Sequence, residues 1–199
     1  MSHHHKTCFL VATVTEAKPF FQDFKLEKKW DLSPIQFFES PNFDLLITGV
    51  GPILSSQACG IIAKESHQQW INLGVAGALN EELQFGDCVK INQCSLHMSQ
   101  NPVQKNFDSI IFSEQGQKCL SSIFPIHDKN EKQKLQNQFD LIDMESYSIA
   151  LAAKLHNKEL IMEKAISDHA DGVLKKDIVK NIPKLMTELV SHYNLNSKL

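Results

Sequence analysis

Arginine is absent from this chain, whose twenty basic residues are all lysines. Arginine is the usual bidentate clamp for phosphate and carboxylate. Its absence weighs against a site that must grip free phosphate, although lysine or backbone amides can do so. A general drift of the sequence toward lysine accounts for it equally well. The five cysteines (Cys8, Cys59, Cys88, Cys94 and Cys119) include no C-x-x-C pair and are odd in number. That favours reduced thiols in a cytoplasmic protein over a disulfide framework. No cysteine–histidine grouping has zinc spacing, so neither a metal nor a cofactor is expected. His3, His4 and His5 follow Met-Ser as the stub of an expression tag does, and residues 1–6 are set aside for that reason. No apolar run has the length of a membrane span, and no signal-peptide pattern stands ahead of the first strand. A formal net charge of -3 argues against nucleic acid as the main partner.

What is present fits one domain over residues 7–195. The 199 residues are 42% hydrophobic and 22% charged, enough for a sizeable core. Neither a repeat nor a low-complexity linker divides them. Cys8–Val14 reads as a buried first strand. A helix follows, with Thr15 as its cap, Pro19 in its first turn, and Phe20, Phe21 and Phe24 at helical spacing. Ile35–Glu39 and Phe43–Thr48 flank a Ser40-Pro41-Asn42 turn, as a hairpin would. Gly49-Val50-Gly51-Pro52 opens a helix to about Lys64, and Trp70–Gly74 is a strand that breaks into a turn at Gly74–Gly77. Cys88–Met98 is a long β segment. Ser109–Phe112 and Lys118–Phe124 are short β candidates, and Asn130–Gln138 is a solvated loop or exposed helix. An apolar helix follows Glu145, and a strand begins near Glu159. The last helix, about Asp177–Tyr193, carries Ile178, Ile182, Leu185, Leu189 and His192 on one face, with Pro183 set to kink or split it. Strands alternating with helices make the class α/β.

Two glycine turns follow strands on what should be one sheet edge. Gly49-Val50-Gly51 lacks the third glycine of a dinucleotide fingerprint and is weak evidence for one. Each turn alone is more often structural than functional; two on one edge suit a small-molecule crevice. Two carboxylates join them. Leu141-Ile142 leads into Met144-Glu145, and Leu160-Ile161-Met162 leads into Ile166-Ser167-Asp168. In open α/β sheets such strand ends face the ligand crevice. Acidic groups there suit a polyhydroxylated substrate with a protonatable leaving group, which points to a nucleoside.

These pieces occur in the order of the nucleoside phosphorylase/nucleosidase superfamily. They resemble its methylthioadenosine/S-adenosylhomocysteine nucleosidase branch most. The resemblance runs over most of the chain: Leu10-Val11-Ala12 with Glu16, Thr48-Gly49-Val50-Gly51, Asn72–Gly77 with Gly86-Asp87, Asp143-Met144-Glu145, and Ala165-Ile166-Ser167-Asp168. It implies a single-domain mixed central sheet flanked by helices, a homodimer, and hydrolysis of the N-glycosidic bond of a 5′-modified adenine nucleoside. By the resemblance, Glu16 activates the attacking water. Glu145 binds the ribose hydroxyls over Met144, and Asp168, set by Ser167, protonates the departing purine. Phe124 stacks on the base, and Val50, Val75, Ala76 and Gly77 line the substrate. A proton donor near neutrality needs burial to raise its pKa, whereas Glu16 must be ionised to act as a base.

The chain also departs from the family pattern. Ser121-Ser122 stands where Gly-Asp is usual, Lys164 where an arginine often precedes ISD, and Val75 where a small polar residue is usual. The stretch from Ser122 to Asp140 is short. A reshaped base loop and 5′ pocket would suit another 5′ substituent, as in the futalosine/aminodeoxyfutalosine hydrolases of an alternative menaquinone route. A phosphate-dependent purine nucleoside phosphorylase and a non-catalytic nucleoside-binding homologue are the alternatives. The first is disfavoured by Val75 and the missing arginine, the second by retention of all three carboxylates.

Overall fold

The computed structural model describes residues 6–97, 109–126, 129–170, 175–193 and 195. The strands are β1 (Thr7–Val11), β2 (Glu27–Leu32), β3 (Ile35–Glu39), β4 (Phe43–Ile47), β5 (Gln69–Ala78), β6 (Cys88–His97), β7 (Ser109–Ile111), β8 (Gln117–Ser122), β9 (Leu141–Asp143) and β10 (Glu159–Asp168). The helices are α1 (Val14–Asp23), α2 (Pro52–Ile62), α3 (Lys129–Leu135), α4 (Ser146–Leu155) and α5 (Lys175–Ser191). The fold is α/β with one mixed sheet, as the sequence implied.

The first strand ends at Val11 because Thr13, not Thr15, caps the following helix. Pro19 therefore lies inside α1 rather than in its first turn. Pro183 also sits inside α5, which continues through it unsplit. Ile182, Met186, Leu189 and Val190 of α5 are buried against Phe9, Ile71 and Leu73 of the sheet, and Leu185 is buried too. His192 falls beyond the helix end, and Ile178 is only half-buried. The predicted hairpin is present, with β3 and β4 antiparallel. The polar run around Asn130 forms α3. An additional edge strand, β2, pairs antiparallel with β3.

β1, β4, β5 and β10 run parallel and form the centre of the sheet. β5 is hydrogen-bonded to β10, β10 to β6, β6 to β8, β8 to β9, and β9 back to β5. Those five strands close a ring, and β1, β4, β3 and β2 extend from it as an open wing. α2 and α4 cover one face, over Leu10, Trp70 and Met162. α1 and α5 cover the other. A third apolar cluster joins Leu135 of α3 to Leu79, Leu120, Ile142 and Ala170.

Candidate active site

Glu16 reaches the site through the start of α1. Thr13 and Glu16 form a capping box, the reciprocal arrangement that satisfies the first free amides of a helix. The Thr13 amide donates to Glu16 Oε2 at 2.8 Å, and the Glu16 amide donates to Thr13 Oγ1 at 3.2 Å. The other carboxylate oxygen leaves the helix and accepts from the Val75 amide of β5 at 3.3 Å. Glu16 is buried, and burial raises its pKa. The Lys164 ammonium and the hydrogen bonds from Val75 and Thr13 oppose that rise.

Glu145 arrives from the opposite direction. It stands at the N-cap of α4 but makes no cap bond with its side chain. Its Oε1 instead accepts from the Gly51 amide at 2.7 Å. That approach requires the turn before α2, where Gly49 and Gly51 have φ of 77° and 93°, a region that disfavours side chains. Asp143 takes over the capping of α4, accepting from the Ser146 amide and hydroxyl. It also accepts from Ser121 Oγ at 2.7 Å and from Lys164 Nζ at 2.9 Å.

Four ionisable groups therefore share one buried region: Glu16, Asp143, Glu145 and Lys164. Burial disfavours the charge on Asp143, but Lys164, Ser146 and Ser121 outweigh it and lower the pKa. Burial together with the neighbouring Asp143 charge pushes Glu145 up to about 8, against the pull of Lys164 and the Gly51 amide. Lys164 loses solvation too, yet the carboxylates around it hold it firmly protonated. One ammonium faces three carboxyls, so the cluster favours keeping one proton.

The Gly74–Gly77 segment is not a turn. β5 runs straight through it, paired with β10 from Lys164↔Gly74 to Asp168↔Gly77. Both glycines are needed for side-chain approach instead. A methyl on Gly74 would lie 3.1 Å from Glu16 Oε1 and 3.3 Å from Lys164 Nζ. On Gly77 it would lie 3.0 Å from Asp168 Oδ1. Glu16 and Asp168 thus each abut β5, at positions three residues apart along the strand.

Asp168 follows an irregularity in the β5–β10 pairing. Its Oδ1 accepts from the Ala170 amide at 2.7 Å, and Ser167 Oγ lies 2.7 Å from Oδ2 and 3.2 Å from the Ala76 carbonyl oxygen. The Asp168 side chain is half-buried. Met144 and Val75 are half-buried as well, and Ala76 is buried within β5. Val50 and Phe124 are exposed, the latter at 60%, two residues beyond the end of β8.

The structure thus brings Glu16, Glu145, Val75, Gly74 and Lys164 together, with Asp168, Ser167, Ala76 and Gly77 a short way along β5. Sequence reasoning gave Asp143 no role of its own. A usable signal was there: a charged pair, Asp143 and Lys164, each terminating or interrupting an apolar strand.

No protein-family model matches the chain, and no curated protein matches it by sequence. Solved structures do. Futalosine hydrolase of Helicobacter pylori strain 26695 superposes with a TM-score of 0.83 at 18% identity, over 98% of both chains. The 5′-methylthioadenosine/S-adenosylhomocysteine nucleosidase from Helicobacter pylori, solved with butyl-thio-DADMe-Immucillin-A, gives 0.82 at 17% identity over 100% of both. The corresponding Campylobacter jejuni nucleosidase gives 0.80 at 19%, over 98% of this chain and all of the other. This chain has the fold of those nucleosidase structures from end to end.

Proposed function

We propose that the protein hydrolyses the N-glycosidic bond of a 5′-modified adenine nucleoside and releases adenine. The observation that carries the reading is the placement of Glu16 and Asp168 along one stretch of β5, with Glu145 joined to Glu16 through Lys164. Solved structures with the same fold carry the names of both a futalosine hydrolase and methylthioadenosine/S-adenosylhomocysteine nucleosidases, so either type of 5′ substituent is a candidate.

In this reading Glu16, oriented by Thr13 and Val75, takes a proton from water as it attacks the anomeric carbon. Glu145 accepts hydrogen bonds from the ribose hydroxyls. The glycosidic electrons pass to the purine as the bond breaks, and Asp168 supplies the proton that the ring nitrogen needs. General acid and base help of this kind contributes about 10²–10⁴-fold each. Met144, Val50 and Phe124 supply apolar contacts to sugar, 5′ group and base.

The same reading makes the protein a cytoplasmic homodimer. The surface between α2 and α4 supports the dimer: Pro52, Ile53, Tyr147, Leu151 and Leu155 line an open apolar groove there, and Ile53 and Leu155 are largely exposed. All five cysteines are free, which suits a reducing compartment. Among the described residues, no helix is long and apolar enough to cross a membrane.

A base-release assay tests the function. Methylthioadenosine, S-adenosylhomocysteine, adenosine, inosine and aminodeoxyfutalosine are compared with and without phosphate. Phosphate-independent adenine release from a 5′-modified substrate is expected. Strict phosphate dependence would replace the hydrolase with a phosphorylase. Binding of adenosine analogues without any release would replace it with a non-catalytic binder.

A further inference from the structure

The turn that holds Asp168 is fastened from outside by a residue that no catalytic step uses. Lys132 lies in α3, yet its side chain turns inward and is only 9% exposed. Its Nζ donates to the His169 carbonyl oxygen at 2.6 Å. The next residue, Ala170, has φ of 49°, a left-handed conformation that alanine adopts only under constraint. The Ala170 amide in turn donates to Asp168 Oδ1 at 2.7 Å. Lys132, the His169 carbonyl, the Ala170 amide and the Asp168 carboxyl form one continuous chain of contacts.

We propose that Lys132 is a positioning residue that fixes the Asp168 carboxyl by tying α3 to the 168–170 turn. Lys132 is not the one anchor of α3 among the described residues. Leu135 already packs with Ala170, Leu79, Leu120 and Ile142 in an apolar cluster, which is a less costly anchor than a buried ammonium. What the ammonium adds is a fixed direction for the His169 carbonyl. That direction sets the peptide plane joining His169 to Ala170, and so aims the amide that grips Oδ1. Glu131, one residue earlier in α3, reaches His97 of β6 at 3.3 Å, so the helix is also braced against the ring. A carboxyl that must meet a ring nitrogen within hydrogen-bond reach gains from such bracing.

The proposal rests on the nucleosidase reading, and the experiment separates the two. Single-turnover adenine release from methylthioadenosine, or from whichever panel member is cleaved, is measured for the unaltered protein, K132M, D168N and the double variant. K132M is expected to lose about 100-fold in rate with little change in KM, as misplacement of a reacting group does. In the D168N background K132M is expected to add nothing, because both changes disable one group. Near-normal turnover by folded K132M, or an equal further loss in the double variant, would overturn the proposal. Should K132M not fold, K132Q takes its place in the same cycle. If neither folds, Lys132 is a requirement of the fold and the proposal fails. Lack of base release by the unaltered protein would refute the hydrolase reading first, and this proposal with it.

Discussion

Lys164 donates to Asp143 across 2.9 Å with both side chains almost wholly out of solvent, and this pair joins β10 to the start of α4. Removing one member leaves the other charged and buried, which typically costs about 3–5 kcal/mol. K164M should therefore lower the unfolding free energy by that order and shift its denaturant midpoint. Equilibrium urea unfolding reads it directly. K164M should also be slower in turnover than its stability loss explains, because Glu16 loses its nearest cation.

Glu145 gives the protein a pH dependence with a definite sign. Its carboxyl titrates at about 8 when folded, against an ordinary 4.5. Across that window the folded state binds more protons than the unfolded state, so stability falls as pH rises from about 4.5 to about 8. E145Q should flatten that slope in a series of thermal melts. If ribose hydroxyls donate to the ionised form, affinity for an uncleavable C-nucleoside should rise with pH toward 8, by up to about tenfold per unit. Calorimetry in buffers of different ionisation enthalpy should then show a proton released on binding, and E145Q should release none.

Glu16 caps α1 with the same carboxylate that the proposed mechanism uses as its base, which allows the two roles to be separated. E16Q keeps a capping-box side chain and should lose about 1 kcal/mol at most, while turnover falls about 10²-fold or more. E16A should lose both. A thermal melt beside a base-release rate distinguishes the variants, and active E16Q would remove Glu16 from the role of base.

D168N should abolish rapid adenine release while still binding an uncleavable adenosine analogue. The carboxamide has the shape of the carboxyl but cannot supply an acidic proton. Near-normal turnover in D168N would take the proton-donor role from this residue.

Gly77 offers a test that leaves every polar group in place. In G77A the new methyl would meet Asp168 Oδ1 at 3.0 Å and Ala170 Cβ at 3.2 Å. Overpacking of this kind costs about 1–3 kcal/mol, and the displaced carboxyl should slow turnover further. On the proposed mechanism, rates of G77A and of G74A, whose methyl crowds Glu16 and Lys164, should both fall, the first through Asp168 and the second through Glu16.

The parts of the fold legible in the sequence were those with strong apolar periodicity. The β3–β4 hairpin and α4 follow from it directly. The β2 strand, Glu27–Leu32, was silent because almost every residue of it is exposed. Pairing to β3 holds it, and side-chain pattern carries no trace of that. Sequence alone points to a turn at Gly74–Gly77, because glycine is usually wanted for its backbone. Here the absent Cβ makes room for Glu16, Lys164 and Asp168, a tertiary cause invisible to local reading. The carboxylate positions themselves came through motif resemblance. The links among them, through Thr13, Gly51, Ser121 and Lys164, are contacts between distant segments and needed coordinates.

The circuit from β5 through β10, β6, β8 and β9 back to β5 leaves the strand that Glu16 and Asp168 abut with hydrogen-bonding neighbours on both sides. Such a strand has little freedom to shift register or bow outward when a bulkier molecule arrives. Under the proposed function, diversification of the accepted ligand would then fall to exposed side chains such as Val50 and Phe124, while the backbone floor stays constant.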